Sequence, residues 1–318
     1  MNAIGLSMIM KMGCLCRRET ININGTKYII VERLGEGGFS TVDLIESKSN
    51  KRKYALKRMT CHSIEDQKKV LQEIEYLKKL KHSNIMELID STFKGSADIV
   101  VNATSDALMV LPYYPRGTLH DHLGIKSLEK EYMSVEEIFR IFSNICSAVQ
   151  YLHELKPEPL AHRDLKTANV CFTDNFTPTL IDFGSMAPAR VQVCGSQDAQ
   201  KLQDIAAEQC SVPYRAPELF NVESYCVIDE RTDIWSLGCI LYAMCYFMSP
   251  FDLVHMRGDS VALAVLSGGV HFPEDSHYPG DIHDLILYML NTNPADRPFV
   301  QNVIEKTNFV ANKLGNVA

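Results

Sequence analysis

The stretch that most constrains this chain is His162-Arg163-Asp164-Leu165-Lys166-Thr167-Ala168-Asn169, followed thirteen residues later by Asp182-Phe183-Gly184. Two apolar runs lie between these motifs, Val170-Cys171-Phe172 and Thr179-Leu180-Ile181, and a polar, proline-containing turn separates them. A run, a turn and a second run predict a β-hairpin. The hairpin would return the last residue of the first motif and the first residue of the second motif to the same end.

Asn169 and Asp182 then offer an amide and a carboxylate oxygen, which are ligands that Mg²⁺ prefers when substrate phosphates complete its shell. Asp164 is a carboxylate that can accept the proton of a hydroxyl group. Asp, Asn and Gly are also common in ordinary turns, so one such motif could arise by chance. Two motifs in this order and spacing indicate phosphoryl transfer.

Composition excludes several other classes of protein. A chain of 318 residues with 46% hydrophobic and 22% charged residues is globular, and it is long enough for one large domain or two lobes. A formal net charge of −7 argues against binding nucleic acid through a basic face. The ten cysteines have no regular spacing and no signal peptide precedes them, which predicts reduced cysteines in a cytosolic protein.

The segment Met12-Gly13-Cys14-Leu15-Cys16 is typical of a lipid-acylation signal. If translation begins at Met12, Gly13 can be myristoylated and Cys14 and Cys16 can be palmitoylated. Arg17 stands where the consensus has Ser or Thr. One myristoyl chain binds membranes only marginally, so stable attachment would need the cysteines. A disordered tail with incidental cysteines and a Cys-x-Cys metal site are the alternatives.

A glycine-rich segment, Leu34-Gly35-Glu36-Gly37-Gly38-Phe39-Ser40-Thr41-Val42, lies between strand-like runs at residues 28–31 and 42–45, and a third run covers residues 54–57. Three successive strands predict an antiparallel sheet. Glycine lets the backbone approach phosphates closely, so Leu34, Gly35, Gly37, Gly38 and Val42 are candidate nucleotide contacts. Dinucleotide-binding proteins share the Gly-x-Gly pattern, but a helix follows it there and a strand follows it here.

Lys57 is the candidate ligand of the non-transferred phosphates. A lysine on a strand is by default a solvated surface residue, so this role needs an acidic partner. Ser63-Ile64-Glu65-Asp66 resembles a capping box, and apolar residues follow it at helical spacing. Glu73 on this helix is the predicted partner of Lys57, and Glu75 is the less favoured choice.

The segment Pro112-Tyr113-Tyr114-Pro115-Arg116-Gly117 is predicted to link two lobes after a buried strand at residues 108–111. An adenine ring needs one carbonyl acceptor and one N–H donor there, which Pro112 and Tyr114 can supply. Ala55 and Val42 would cover the base from above. By resemblance to protein kinases, which usually have a leucine under the base, Cys171 would lie under it. It would be either a packed small hydrophobe, which is the favoured interpretation, or an unusual thiol in the nucleotide pocket.

The rest of the chain is predicted to be mostly helical. Ser134-Val135-Glu136-Glu137 is a capping box before an amphipathic helix. Asp233 begins a strongly apolar segment and therefore needs hydrogen-bond partners. Glu218 of Ala216-Pro217-Glu218 and Arg297 are predicted to form a structural ion pair rather than a catalytic one.

Together these motifs resemble eukaryotic-type protein kinases over residues 28 to about 303. The resemblance implies an α+β, two-lobed kinase fold, with an antiparallel β lobe and one main helix at residues 28–111 and a larger helical lobe at residues 112–310. Residues 1–27 and 311–318 are predicted tails. In this family, the aspartate at the position of Asp233 holds the backbone of the catalytic loop.

Three segments resemble the Numb-associated kinase family more narrowly: residues 35–40, 226–233 and 258–265. The likeness is greatest to its small acylated branch, which is associated with the Golgi and trafficking membranes. It implies attachment to the cytoplasmic face of such membranes through Gly13, Cys14 and Cys16, together with a cytosolic pool. Residues before Met12 depart from that pattern. Residues 197–209, rich in helix formers, are predicted to supply part of an extra helical element of this family.

The resemblance implies a mechanism with ATP and Mg²⁺ as cofactors and protein Ser or Thr hydroxyls as substrates. Asp164 would act as base, Lys166 would stabilise the transferred phosphoryl group, and Ser211 would brace both. Asn169 and Asp182 would hold the metal. Arg163 would suit pairing with a phosphorylated activation segment, where Ser185, Ser196 and Ser211 are the serines. A pseudokinase scaffold and a small-molecule phosphotransferase are the alternatives.

Overall fold

A computed structural model describes residues 19–37, 40–98 and 103–315. The chain divides into two compact units. One contains the described residues up to Ser63 together with Ile89–Tyr113, and the other contains Ile64–Leu88 and the residues from Tyr114 onward. The domain boundaries given above stay predictions.

The first unit is one antiparallel sheet of six strands in the order β1-β2-β3-β4-β6-β5. A two-residue turn, Asn24-Gly25, joins the first two strands with positive φ at both positions, 44° and 88°, which matches a type I′ hairpin turn. Six buried side chains from five strands form the core of the sheet. The strands are β1 (Thr20–Ile23), β2 (Thr26–Glu36), β3 (Ser40–Ser47), β4 (Lys53–Cys61), β5 (Asp90–Asp98) and β6 (Ala103–Pro112).

The second unit is mainly helical and carries three short antiparallel strand pairs, β7 with β10, β8 with β9 and β11 with β12. Its strands are β7 (Leu160–Ala161), β8 (Val170–Phe172), β9 (Pro178–Leu180), β10 (Ala187–Pro188), β11 (Val191–Cys194) and β12 (Tyr225–Ile228). Its helices are α1 (Ile64–Lys79), α2 (Leu119–Glu129), α3 (Val135–His153), α4 (Ser196–Gln209), α5 (Arg231–Tyr246), α6 (Asp252–Met256), α7 (Val261–Leu266), α8 (Gly280–Met289) and α9 (Val300–Gly315).

Helices α3 and α5 form the centre of this unit. Helix α3 contacts α5 and α9, and α5 also contacts α8. Almost every residue of α5 is buried, including Trp235, which explains why its sequence is apolar on all sides. At the start of α3 the Ser134 hydroxyl accepts a hydrogen bond from the Glu137 N–H at 3.1 Å, while the Glu137 carboxylate lies beside Lys126 and His122.

Several predictions about local structure are confirmed. The predicted hairpin forms between β8 and β9, with Val170 opposite Leu180. The predicted helix at residues 197–209 is α4, which begins one residue earlier. In α1, Ile74 and Leu77 are buried as the helical spacing indicates, but Leu71 is 47% exposed. The antiparallel sheet and the helical second unit agree with the predicted α+β fold class.

Candidate active site

In the second unit, three of the four predicted catalytic residues contact one another: Asp164, Lys166 and Ser211. Lys166 Nζ donates to Asp164 Oδ2 at 2.7 Å and to Ser211 Oγ at 2.8 Å. The backbone N–H of Ser211 donates to Asp164 Oδ1 at 2.8 Å. Each carboxylate oxygen therefore accepts at least one hydrogen bond, which fixes the plane of the carboxylate.

Asn169 is the fourth predicted catalytic residue, and it is buried next to Asp164. Its Nδ2 donates to the backbone carbonyl of Asp164 at 2.8 Å and to Asp164 Oδ2 at 3.1 Å. Both donors of the amide are used in these bonds, so its Oδ1 is the atom that can ligate a cation.

The β8–β9 hairpin brings Asp182 back to Asn169, as the sequence predicts. The N–H of Ile181, the residue before Asp182, donates to the carbonyl of Asn169 at 3.0 Å. Asp182 has a φ of 61°, an uncommon value for a non-glycine residue. Its side chain therefore leaves the chain in a direction that an extended backbone does not allow.

These two side chains fit a magnesium ion that binds together with phosphates. Such an ion usually keeps one or two protein oxygens and takes its other ligands from phosphate and water. The described residues contain no group of three or more His, Cys, Asp or Glu side chains that could hold a metal. One carboxylate and one amide oxygen nevertheless meet the requirement of a phosphate-bound Mg²⁺.

Asp233, at the start of α5, holds the backbone of the segment that carries Asp164. Its Oδ2 accepts from the His162 N–H at 2.8 Å, and its Oδ1 accepts from the Arg163 N–H at 2.9 Å. His153 Nε2 lies 2.9 Å from Oδ2. Burial by itself raises the pKa of Asp233, but the hydrogen bond and charge of His153 and the backbone donors outweigh it, so the pKa lies below its ordinary value.

Arg163 adopts a φ of 67°, which costs free energy in any residue with a Cβ. Its backbone N–H is held by Asp233, and its guanidinium donates to Thr232 Oγ1 at 3.1 Å and to the Ala189 carbonyl at 2.8 Å. Contacts to α5 and to the segment after β10 therefore maintain this conformation. Just before β10, the hydroxyl of Ser185 donates to the carbonyl of Gln209 at 2.9 Å.

The glycine-rich loop belongs to the first unit, where it joins β2 and β3. Gly35 pairs with Val42, and the Gly37 N–H donates to the Ser40 carbonyl at 2.8 Å. A Cβ at Gly35 would have no described neighbour within 4 Å, and neither Gly35 nor Gly37 has a positive φ. The fold itself does not require these two glycines, so close approach of a ligand remains their predicted purpose. Gly38 lies outside the described residues.

The remaining candidates of the first unit lie on neighbouring strands. On β4, Ala55 and Lys57 are half-buried, and Lys57 lies opposite Val42 of β3. Pro112 ends β6, where it is opposite Tyr54. Leu34 on β2 is 42% exposed, so its side chain is accessible to a ligand.

Glu73, Tyr114 and Cys171 belong to the second unit. Glu73 is buried on α1, and a Cβ built on Gly184 would lie 3.5 Å from its Oε2. Burial, followed by the effects of Cys171 and Glu87, raises the pKa of Tyr114. Burial likewise raises the pKa of Cys171 to about 12, which supports a packed, protonated thiol. The pairing of Glu73 with Lys57 stays a prediction.

Glu218 and Arg297 form the ion pair predicted from the sequence. Arg297 Nη1 and Nη2 donate to the two carboxylate oxygens of Glu218 at 2.8 and 2.9 Å. The Arg297 side chain is fully buried and also donates to the carbonyls of Asn291 and Arg231. This bidentate geometry ties the segment before α5 to the segment before α9.

Sequence reasoning missed His153 and Thr232, which support the catalytic loop through Asp233 and Arg163. Both are buried residues on helices, and their partners lie 80 and 69 residues away in the chain. No local pattern marks such residues, because their spacing along their own helices resembles that of any core position.

Gly13, Cys14 and Cys16 lie outside the described residues, so the predicted acylation signal has no structural account. Within the described part of the chain, no helix has the length and apolar character needed to cross a lipid bilayer.

Comparison with known proteins agrees with this geometry. The family described as "Protein kinase domain" matches residues 28–309. The chain is 40% identical to serine/threonine-protein kinase 16 of Rattus norvegicus, over 90% of this chain and 91% of that relative. Identity to the proteins of the same name from Mus musculus and Homo sapiens is 39% and 38% over the same shares. The chain therefore belongs to the protein kinase domain family, and it is a protein serine/threonine kinase that uses ATP with Mg²⁺.

Proposed function

We propose that this kinase phosphorylates Ser and Thr hydroxyls of proteins with Asp164 as the residue that orients the hydroxyl and accepts its proton. The observation that carries the proposal is the set of contacts among Asp164, Lys166 and Ser211. A carboxylate held through both oxygens keeps one orientation while a substrate arrives, so little reorganisation is needed in the transition state.

Lys166 is proposed to stabilise the charge on the transferred phosphoryl group. Its Nζ donates hydrogen bonds to Asp164 and to Ser211. The Lys166 side chain is 26% exposed, so the third N–H of its ammonium group can reach a ligand. When bound, ATP supplies the γ-phosphoryl group and Mg²⁺ neutralises charge on its phosphates. Lysine at this position and Ser211 both favour Ser/Thr substrates by the family resemblance.

Asn169 and Asp182 are the proposed metal ligands, and Lys57, held by Glu73, is the proposed contact of the non-transferred phosphates. The remaining proposed nucleotide contacts come from the glycine-rich loop, the strands of the sheet and the segment after β6. They are Leu34, Gly35, Gly37, Gly38, Val42, Ala55, Pro112, Tyr114 and Cys171.

Two alternatives are less well supported. A pseudokinase scaffold would lack one of Lys57, Asp164 or Asn169, and all three are present. A small-molecule phosphotransferase would not need the Glu218–Arg297 pair that fixes the segment before α5.

Side-by-side assays with labelled ATP distinguish the three functions. We expect label on Ser and Thr of a protein mixture, none on sugars, aminoglycosides or choline, and none after EDTA or in Asp182→Asn. Label on a small molecule alone would favour the phosphotransferase. ATP binding without transfer to any acceptor would favour the scaffold.

We also propose that the kinase acts at trafficking membranes of the secretory pathway, held there by acylation of Gly13, Cys14 and Cys16. The support is Met12-Gly13-Cys14-Leu15-Cys16 and the resemblance to the small acylated branch of the Numb-associated kinases. Intact mass of the cell-purified protein tests this proposal. A species that begins at Gly13 and carries acyl groups is expected, with Gly13→Ala as control. A mass without acyl groups would contradict it.

A further inference from the structure

A cavity of about 360 Å³ lies next to the catalytic loop and is not used by any step described above. Lys166 forms one of its walls, and Lys166 Nζ is 2.7 Å from Asp164 Oδ2. The cavity therefore begins about one side chain away from the proposed base. Successive residues of an extended peptide are about 3.3–3.6 Å apart, so a substrate residue close to the phosphorylated hydroxyl can reach it.

Most of the other lining residues are apolar or aromatic, and His120 and Thr167 add two polar side chains. Tyr214 comes from the segment after α4, Phe247 and Met248 follow α5, and Met256 ends α6. Methionine side chains adapt their shape to an apolar partner, and aromatic rings supply large rigid contact areas. Such a lining suits a large aliphatic or aromatic side chain.

Phe247 occupies a backbone position that favours glycine. It caps the C-terminus of α5 with a φ of 71° and a ψ of −12°, in the left-handed region. A bulky residue is rare there, because its Cβ crowds the backbone. The ring lines the cavity, and Tyr132 contacts it with ring centroids 5.1 Å apart. A strained conformation that places an aromatic ring beside a cavity is typical of a binding site.

Two charged groups line the cavity as well, but each has a partner. Lys166 is paired with Asp164. Asp252 Oδ2 accepts a hydrogen bond from the Ser249 N–H at 2.6 Å. The apolar residues therefore decide what binds more than the charges do.

We infer that this cavity receives a large apolar side chain of the substrate, such as Leu, Met or Phe, within three residues of the phosphorylated Ser or Thr. This inference rests on the proposed function, because the occupant is part of a protein substrate. Phe247 and Met256 are the specificity-determining residues. The kinase would accordingly select apolar sequence next to its phosphorylation sites.

Positional-scanning peptides with a fixed Ser and positions −3 to +3 varied test the inference on the full-length kinase with ATP and Mg²⁺. At one position Leu, Met or Phe should exceed Ala by about tenfold or more in kcat/KM. Phe247→Gly keeps a residue suited to positive φ and removes the ring. Met256→Ala removes a side chain that is 75% exposed, so the fold should be retained. Each variant should reduce the preference to about threefold or less, through KM rather than kcat.

Leu128→Ala is the matched control, because Leu128 is 87% exposed on α2 and does not line the cavity. It should keep the wild-type preference. Phosphorylation without preference at any position would overturn the inference and leave the proposed function intact. An apolar preference that neither Phe247→Gly nor Met256→Ala changes would also overturn the inference. So would a preference for Lys or Arg that is lost in Asp252→Asn. Failure of the wild-type kinase to phosphorylate any peptide or protein would overturn the proposed function itself.

Discussion

Ser211 reaches the carboxylate of Asp164 through its backbone N–H, at 2.8 Å, although 47 residues separate the two positions. Its hydroxyl meanwhile accepts from Lys166 at 2.8 Å. One residue of the segment after α4 thus contacts both residues proposed to act on the substrate hydroxyl and on the phosphoryl group. The position of that segment and the geometry of the catalytic loop are therefore linked.

Ser211→Ala should lower kcat by about 10- to 100-fold, because Lys166 loses a charge-assisted hydrogen bond worth about 1.4–2.8 kcal/mol. The backbone bond to Asp164 remains, so activity should not vanish. Steady-state kinetics with saturating ATP measure the effect. Ser185→Ala serves as the control, since the Ser185 hydroxyl donates to the Gln209 carbonyl at 2.9 Å rather than to Asp164 or Lys166. An unchanged kcat in Ser211→Ala would contradict the bracing role.

Asp233→Asn should destabilise the fold by about 1–3 kcal/mol, because one amide group cannot accept from both backbone N–H groups. The folded-state pKa of Asp233 lies below its ordinary value, so folding favours the ionised carboxylate. Its contribution is complete above the unfolded pKa of about 3.9 and is lost as pH falls through the folded pKa. Urea unfolding of both proteins from pH 7 to pH 3 measures the difference. A difference that grows on acidification would refute this assignment.

Breaking the buried pair with Glu218→Gln should cost about 3–5 kcal/mol of unfolding free energy, because Arg297 would be left buried without its anionic partner. The exposed pair Lys69–Glu208, at 3.4 Å, provides the comparison, and Lys69→Ala should cost less than about 1 kcal/mol. Thermal or denaturant unfolding gives both values. Equal losses of unfolding free energy in the two variants would show that the buried Glu218–Arg297 pair contributes no more to stability than an exposed pair.

Cys171 should resist alkylation at neutral pH, because burial raises the pKa of its thiol to about 12 and little thiolate forms. Cys194 is exposed and should react faster than Cys171. Iodoacetamide treatment at pH 7.4 followed by peptide mass mapping compares the two sites. Labelling of Cys171 at the rate of Cys194 would instead favour an unusual thiol in the nucleotide pocket.

The sequence was most informative where structure is local. The β8–β9 hairpin follows from two short apolar runs around a proline-containing turn, and α4 follows from its helix-forming composition. Strand β1 was missed, although the Asn24-Gly25 turn that joins it to β2 is a recognisable hairpin signal. Strand β5 has a polar sequence, DSTFKGSAD, so pairing with β6 rather than propensity makes it a strand.

The supports of the candidate site were less accessible from the sequence. The sequence predicts that Asp233 needs hydrogen-bond partners, because a carboxylate buried in an apolar helix must accept hydrogen bonds. His153 as a partner could not, since the two residues lie 80 positions apart. The left-handed conformation of Phe247 was equally hidden, because the residue type argues against it and only the end of α5 requires it.

Transfer of label from γ-labelled ATP to a protein substrate by Asp164→Asn and by the wild-type kinase tests the central claim most directly. The variant keeps the size of the side chain but removes the group proposed to accept the proton. With folding verified by thermal unfolding, we expect kcat to fall by about 100- to 10,000-fold and the Kd for ATP to stay nearly unchanged. Transfer to Ser and Thr at the wild-type rate would contradict the assignment of Asp164 as base.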